Sequence, residues 1–395
     1  MKTDITEVST SIVVSWLRFP MAVLVVYIHL TPQQNPIFTP ISGIDWTRLN
    51  FDNIYSILGV TINNIAAVAV PFFFFSSGYY FFYRTEFSKE IYVRKIKKRA
   101  KTLLIPYILW NIIAVLCRYL HGLWQSQILN VALTEKHSLS LEDIYSLPNW
   151  VSYMWNHFTI SNTNGIDLLG LSGSFTAPAD LPLWFLRDLI VLSVLTPLIY
   201  FAIKRGKYAF LIVLWIAYIL NIETLAGINI IGLFFFSFGA YLSINKKDLL
   251  DTFLKYRSEG IIALIILLPM LLFMNGTKFE MAFNHIYCTV GIIAVVALAY
   301  KMSNKKSLRN FFLKKSNRSF FIYALHTLPI IITSPLGFGT NLLTKTFNSL
   351  CNSGGEGILT YLIAPIIGVV ICLFCFSFLN RFFPKALYYL TGGRD

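Results

Sequence analysis

Long apolar runs alternate with short polar and basic segments along the whole chain. They fall at 12–30, 57–83, 102–121, 183–202, 208–222, 226–244, 260–274, 282–300, 319–336 and 358–380. A bilayer core about 30 Å thick takes roughly 20 apolar residues in a helix. The pattern therefore predicts an all-α polytopic membrane protein, with about ten transmembrane helices in one bundle. The runs at 208–222 and 260–274 are the shortest. No fixed-period repeat or low-complexity tract breaks the series, so a single membrane domain is expected over 1–395. One connection stands apart, a segment at 122–182 between the third and fourth runs. Loops of that length are usually functional or separately structured. This one holds Trp124, Trp150 and Trp155 near Asn149, Asn156, Asn162 and Asn164. Such side chains either form an interfacial aromatic belt or face sugar rings.

Charge orients the bundle. With the N-terminus inside, 26 of the 33 Lys and Arg residues fall on the cytoplasmic side and six on the outer side, and Arg18 lies within the first span. That asymmetry is the positive-inside signal, and it places both termini in the cytoplasm. Composition agrees. The chain is 56% hydrophobic and 13% charged, with a mean hydropathy of +0.62, against about 25% charged residues in a soluble domain. The net charge of +14 would suggest nucleic acid in a soluble protein. Here the cations sit in clusters between spans, and no nucleic-acid partner is expected. Cys117, Cys288, Cys372 and Cys375 lie within or at the end of apolar runs and Cys351 outside them, so no disulfide framework is implied. Cys372 and Cys375 have CxxC spacing but read as small buried hydrophobes. The first run lacks a small-residue cleavage site and opens the series, so it reads as a retained span.

Ionisable residues inside spans are costly and are functional candidates by default. The first span carries Arg18 and His29. Eleven residues at 100° each bring them onto one helix face, roughly 16 Å apart along the axis. Arg18 lies toward the cytoplasm and His29 toward the outside. A cation near the inner leaflet suits the phosphates of an anionic donor. An imidazole farther out suits proton transfer at a hydroxyl. The alternative is an Arg that snorkels to the inner headgroups and a His at the outer interface.

In the second span, four consecutive Phe residues precede Ser76, Ser77 and Gly78, where small residues permit close approach of a helix or a ligand. The basic stretch Arg94–Lys101, with Lys98, Arg99 and Lys101 at its end, serves topology and can also bind phosphate at the membrane surface. The fourth span opens on Trp184, with Arg187 and Asp188 near the outer mouth. Adjacent helical residues point about 100° apart, so these two are not expected to pair with each other. His326 is expected roughly 10–12 Å into the bilayer, one turn beyond Tyr323. It either assists chemistry or is structural. His285, near the outer end of the eighth span, reads as structural. No two His or carboxylates have metal-ligand spacing on one helix face, and no metal is expected.

Taken in order, these motifs resemble the acyltransferase 3 family over about residues 10–385. The motifs are Arg-x10-His in the first span, Phe-Phe-x-x-Ser-Gly in the second and a basic run before Leu-Leu-Ile-Pro-Tyr in the third. Leu-Trp-Phe-Leu in the fourth and Phe-Phe-Ile-Tyr-x-Leu-His in the ninth complete the set. The resemblance implies a membrane enzyme that moves an acyl group, acetyl by family prior, from cytoplasmic acyl-CoA to a hydroxyl of an outer-face carbohydrate or lipid-linked sugar. A bacterial inner membrane is implied with it.

Arg18 and His29 match the family's essential first-helix pair. Phe73, Phe74, Ser77 and Gly78 match the second-helix motif. Lys98-Arg99-Ala100-Lys101 stands where the family usually carries Arg-x-x-Arg, and its lysines supply point charges in place of bidentate forks. Trp184 and His326 match recurrent positions. The resemblance thus assigns His29, Arg18 and His326 to catalysis. Arg18, Ser77, Gly78, Lys98, Arg99 and Lys101 fall to acyl-CoA and Trp184 to the acceptor side, where Arg187 and Asp188 are added for their place near the outer mouth. Direct transfer with His29 as general base is the leading expectation, and an acyl-His intermediate the second. Many relatives carry a soluble domain after the last span. This chain ends at Asp395, so a second transfer step is expected to fall to another protein. The rival from another class is a transporter or flippase for an anionic or lipid-linked substrate, which intramembrane Arg and His also fit. Dependence on a CoA thioester separates the two.

Overall fold

The computed structural model describes residues 8–29, 40–127, 146–160, 175–222, 225–328 and 356–393. Asn162, Asn164, Cys351 and the stretch 329–336 of the ninth run lie outside what is described. Helices dominate. They are α1 Thr10–Ile28, α2 Phe51–Ala67, α3 Ala69–Phe82, α4 Lys89–Arg99, α5 Ile105–Gln127, α6 Leu147–Trp155, α7 Trp184–Val194 and α8 Thr196–Ile219. After these come α9 Ile230–Ile244, α10 Leu249–Lys255, α11 Arg257–Met274, α12 Glu280–Ser303, α13 Lys306–Ser316, α14 Ser319–Leu325, α15 Glu356–Phe382 and α16 Pro384–Thr391. A two-stranded antiparallel ribbon, β1 Phe158–Ile160 and β2 Phe175–Ala177, sits in the long segment. Short polar side chains start several helices. Ser9, Asn50, Ser88, Asn229 and Asp248 each accept from a free N–H of the first turn.

Among the described residues, six helical segments are long and apolar enough to cross a membrane: Thr10–Ile28, Phe51–Phe82, Lys89–Leu120, Arg257–Met274, Glu280–Ser303 and Tyr361–Phe382. Leu181–Val194 and Thr196–Ile219, bent by 67°, make a seventh if counted as one span. The multi-pass helical architecture is as expected, but the count of ten is not established. The reasons are local. Pro197 has no N–H to donate to Ser193, and the side-chain hydroxyl of Thr196 takes that carbonyl instead at 2.7 Å, so the chain turns at Leu195. A second break falls at Lys207, whose φ of 48° leaves the helical region, so the runs 183–202 and 208–222 do not map onto two straight helices. The run 226–244 forms a 15-residue helix, about 22 Å long and short of the core thickness. Only the first part of the run 319–336 is described, as α14.

α3 is the central post. Phe72, Phe74 and Phe75 are completely buried. α3 and α9 cross backbone to backbone through two reciprocal glycines. A Cβ on Gly78 would lie 2.0 Å from the carbonyl oxygen of Phe236, and one on Gly239 would lie 2.0 Å from that of Phe75. Only Gly permits such an approach. Between α4 and α5 the backbone passes through a π-helical turn, Ala100–Leu104. Pro106 explains it, since its ring excludes the ordinary bond to the carbonyl of Thr102. α16 docks beside this turn, where Trp110 Nε1 donates to the Leu390 carbonyl at 2.9 Å. The outward stripes are apolar: Ile262, Ile265, Ile266 and Phe273 of α11 and Val370 and Phe374 of α15 are exposed. This is the surface a lipid solvent requires.

Candidate active site

α1 runs unbroken through Pro20, so the spacing that relates Arg18 to His29 holds along one helix. His29 caps its end. Its ring centre lies 5.1 Å from that of His326, at the end of α14. Residues from the two ends of the chain thus meet. His326 is buried, and its Nδ1 sits 3.1 Å from the Ile322 carbonyl and 2.9 Å from the Tyr323 carbonyl. Carbonyl oxygens only accept, so Nδ1 carries the proton and Nε2 is left as the basic nitrogen. That Nε2 is buried and has no hydrogen-bond partner among the described residues. Tyr323 holds the helix in place by donating its hydroxyl to the Pro182 carbonyl.

His29 also lines a cavity of about 220 Å³. Trp184 and Tyr218 supply aromatic walls, and Asn284, His285 and Cys288 of α12 form a polar side. Sequence reasoning named His29 and Trp184 for function but set His285 aside as structural. The structure puts all three on one cavity.

Arg18 is exposed on the flank of α1, close enough to Tyr80 of α3 for the two to interact electrostatically. Arg99 is bound to the same stretch of α3. Its Nη2 donates to the Ser77 carbonyl at 3.1 Å, its Nη1 donates to the Ser193 hydroxyl at 3.0 Å, and its guanidinium lies over the Phe81 ring. Lys95 donates to the Phe81 carbonyl and, at 2.8 Å, to the Thr85 hydroxyl. Part of the basic run therefore ties α4 to α3, while Lys98 and Lys101 remain exposed. Ser77 enters this arrangement through its backbone, and Gly78 faces α9.

Arg187 and Asp188 depart from expectation. They do pair, Nε to Oδ1 at 2.9 Å, and both side chains are buried. The 100° offset of neighbouring residues is overcome by the reach of the Arg side chain, and burial makes an unpaired charge too costly to leave. Arg187 also donates to the Trp155 carbonyl and the Thr176 hydroxyl and lies over the Trp155 ring, while Asp188 accepts from the Asn229 N–H. The pair fastens the 146–182 region to α7 and α9 rather than presenting free charge at a mouth.

Asp180 was not singled out in the sequence. It is buried, accepts from the Thr327 hydroxyl at 3.1 Å through Oδ1, and its own N–H donates to the Asn111 amide oxygen at 3.0 Å. Its Oδ2 has no partner among the described residues. Burial pushes its carboxyl well above the usual range, against opposing pulls from Thr327 and Arg118. It precedes the bent pair of helices in a stretch that reads as loop, where a carboxylate draws no notice. Among the described residues no three His, Cys, Asp or Glu side chains are grouped as a metal would need.

The model of the acyltransferase 3 family, an acyltransferase domain, matches residues 13–380. The succinoglycan biosynthesis protein ExoH of Rhizobium meliloti (strain 1021) is 24% identical over 404 residues, covering 98% of this chain and 94% of that protein. No solved structure matches the chain. With the family model extending over nearly the whole chain, from α1 to the last turns of α15, the chain belongs to the acyltransferase 3 family and is a multi-pass membrane acyltransferase.

Proposed function

We propose that the protein transfers an acyl group from cytoplasmic acyl-CoA to a hydroxyl of a polysaccharide or lipid-linked sugar at the outer face of a bacterial inner membrane. The observation that carries this reading is the meeting of His29 and His326 at the edge of a cavity. His326 keeps a basic, unbonded Nε2, and its ring centre lies 5.1 Å from that of His29. A turn of the His29 ring on substrate binding would let its N–H donate to that Nε2, fixing the His29 tautomer and leaving its other nitrogen as a base for the cavity, since catalytic hydrogen bonds often tighten only in the substrate complex. The acceptor hydroxyl oxygen bonds to the acyl carbon as the carbon–sulfur bond breaks. The hydroxyl proton passes to His29 and on to the departing thiolate, so no net proton is consumed. Such general-base catalysis contributes about 10²–10⁴-fold.

Arg18, exposed beside Tyr80, and the outward Lys98 and Lys101 supply the cations for the donor phosphates. An extended pantetheine arm, roughly 20 Å long, spans the ~16 Å of helix from Arg18 to His29. The relative's role in succinoglycan biosynthesis favours a polysaccharide acceptor, and the half-buried Trp184 ring on the cavity wall suits a sugar face. Acetyl is the simplest donor group to test.

The test uses the purified protein in nanodiscs, measuring acetyl-CoA binding and slow CoA release. Arg18→Ala is expected to weaken binding by at least about tenfold, because it removes a charge-assisted contact. His29→Ala is expected to bind normally and to release CoA at least about 10²-fold more slowly. Absence of binding and turnover with acetyl-CoA and with a panel of longer acyl-CoAs would overturn the reading.

A further inference from the structure

The cavity beside His29 is lined mostly by hydrocarbon. Val25 and Ile28 come from α1, Ala67 from the end of α2, Val70 and Pro71 from α3, and Ile231 from α9. Among the described residues that line it there is no Lys, Arg, Asp or Glu. Its polar side chains on α12 are engaged with their neighbours. Asn284 Nδ2 donates to Asn64 Oδ1 at 3.1 Å, and the Cys288 thiol lies 3.6 Å from Asn284 Oδ1. The His285 ring is stacked on Tyr218, with ring centres 3.9 Å apart. A sugar ring placed wholly inside would bury several hydroxyls with too few partners, which is unfavourable. An apolar chain needs no partners there, and each methylene moved out of water favours binding.

The cavity also lies on the path assigned to the donor. Val25 stands seven residues after Arg18 and four before His29, so at 100° per residue all three fall within about 40° on one face of α1. An arm that runs from Arg18 toward His29 passes Val25 and brings its thioester to the cavity. The cavity volume is about 220 Å³. A cavity of about 150 Å³ holds benzene. An acetyl group leaves most of the larger space empty, and walls that face a void forfeit their packing.

We infer that this cavity seats the acyl chain of the donor, and that the group it fits is an uncharged aliphatic acyl of roughly four to six carbons rather than acetyl or succinyl. This rests on the acyl-transfer reading above and names its acyl group. The thioester carbon lies at His29, and the acceptor presents one hydroxyl there. The terminal carboxylate of a succinyl group would be buried with no cation to pair with, a cost well above what its methylenes gain.

The experiment measures kcat/KM for CoA release by the full-length protein in nanodiscs with acetyl-, butyryl-, hexanoyl-, dodecanoyl- and succinyl-CoA. Butyryl-CoA is expected to exceed acetyl-CoA by about tenfold or more, since each buried methylene is worth about fourfold. Dodecanoyl-CoA is expected to fall below hexanoyl-CoA, because its chain exceeds the cavity. Succinyl-CoA, whose acyl group has as many carbons as butyryl, is expected to be at least about 10²-fold poorer than butyryl-CoA. Two variants locate the chain. Ala67→Leu narrows the cavity and is expected to lower the hexanoyl-to-acetyl ratio about tenfold, whereas Ile231→Ala widens it and is expected to raise the dodecanoyl-to-hexanoyl ratio. Each ratio is taken within one preparation, so a loss of folded protein cancels, and if one variant yields no folded protein the other carries the comparison. The inference is overturned if acetyl-CoA is the best donor, if succinyl-CoA equals or exceeds butyryl-CoA, or if neither variant moves its ratio. Absence of binding and turnover with every acyl-CoA is a different result, and it strikes the proposed function instead.

Discussion

At the scale of single residues, the arrangement of His326 makes a sharp demand. Its Nδ1 is held by two carbonyls and only its Nε2 is left to act on His29. If it orients His29, His326→Phe should lower kcat by about 10–10²-fold with little change in the KM for acetyl-CoA, the size expected when a catalytic group is misplaced. His326→Gln, whose side-chain oxygen reaches toward the position of Nε2, should restore part of the loss. Equal collapse of both variants in turnover and in thermal stability would leave His326 a purely structural residue.

Asp180 supports a second prediction, of opposite sign to an ordinary salt-bridged carboxylate. Its folded carboxyl is raised above the unfolded value, so the folded state binds the extra proton, and the stability it provides is lost as pH climbs through that raised range. Asp180→Asn should therefore flatten the fall in melting temperature that accompanies a rise in pH above the ordinary carboxylate range. An unchanged slope would exclude Asp180 as its source.

Both histidines of the site were legible in the sequence as ionisable residues inside apolar runs, but their contact was not, because nothing in local spacing relates the first span to the ninth. His285 was passed over because a single His near a span end has an ordinary interfacial explanation. What sets it apart is its place on the cavity wall beside His29, a property of the fold. The pairing of Arg187 with Asp188 was missed for another reason. The 100° rule describes where Cα–Cβ bonds point and takes no account of the length of an Arg side chain.

At the scale of elements, the α3–α9 crossing is the contact on which the others depend. α3 carries the stretch that Arg18 and Arg99 both reach, and its position is set by backbone contact at Gly78 and Gly239. Gly239→Ala lies away from the cavity and should destabilise the protein by at least ~1–3 kcal/mol, since the obstructing atom is a carbonyl oxygen that cannot swing aside. The measurement is the melting temperature in nanodiscs, and a shift within error would show that the helices separate at little cost.

The sequence pattern located apolar segments well and their directions poorly. Hydropathy counts residues without regard to backbone geometry, so the turn at Leu195 and the break at Lys207 were invisible to it. Pro197 and Gly206 mark these places in hindsight, but prolines and glycines also occur in helices that cross without a break, as Pro20, Pro269 and Pro365 do here.

At the scale of the whole molecule, the proposed reaction is vectorial, and it depends on which end of the bundle faces the cytoplasm. The fold supplies two marked ends. Lys98 and Lys101 are exposed on the α4 side, next to the stretch of α3 that Arg18 approaches, while His29 and the cavity lie some eleven residues farther along α1. The charge asymmetry of the sequence is the ground for the proposal that the first end is cytoplasmic. Leu147 at the start of α6 is 80% exposed, and the proposed topology puts it on the opposite side. In a background with the five native cysteines replaced, Leu147→Cys should react with a membrane-impermeant maleimide added to intact spheroplasts. Lys98→Cys should react only after permeabilisation. Labelling of Lys98→Cys in intact spheroplasts with Leu147→Cys protected would invert the bundle. The donor cations would then face the side without acyl-CoA, and transfer from a cytoplasmic donor through Arg18 toward His29 would be untenable. With the expected labelling, the path from Arg18 along α1 to the paired histidines runs from the compartment that holds the donor to the one that holds the polysaccharide.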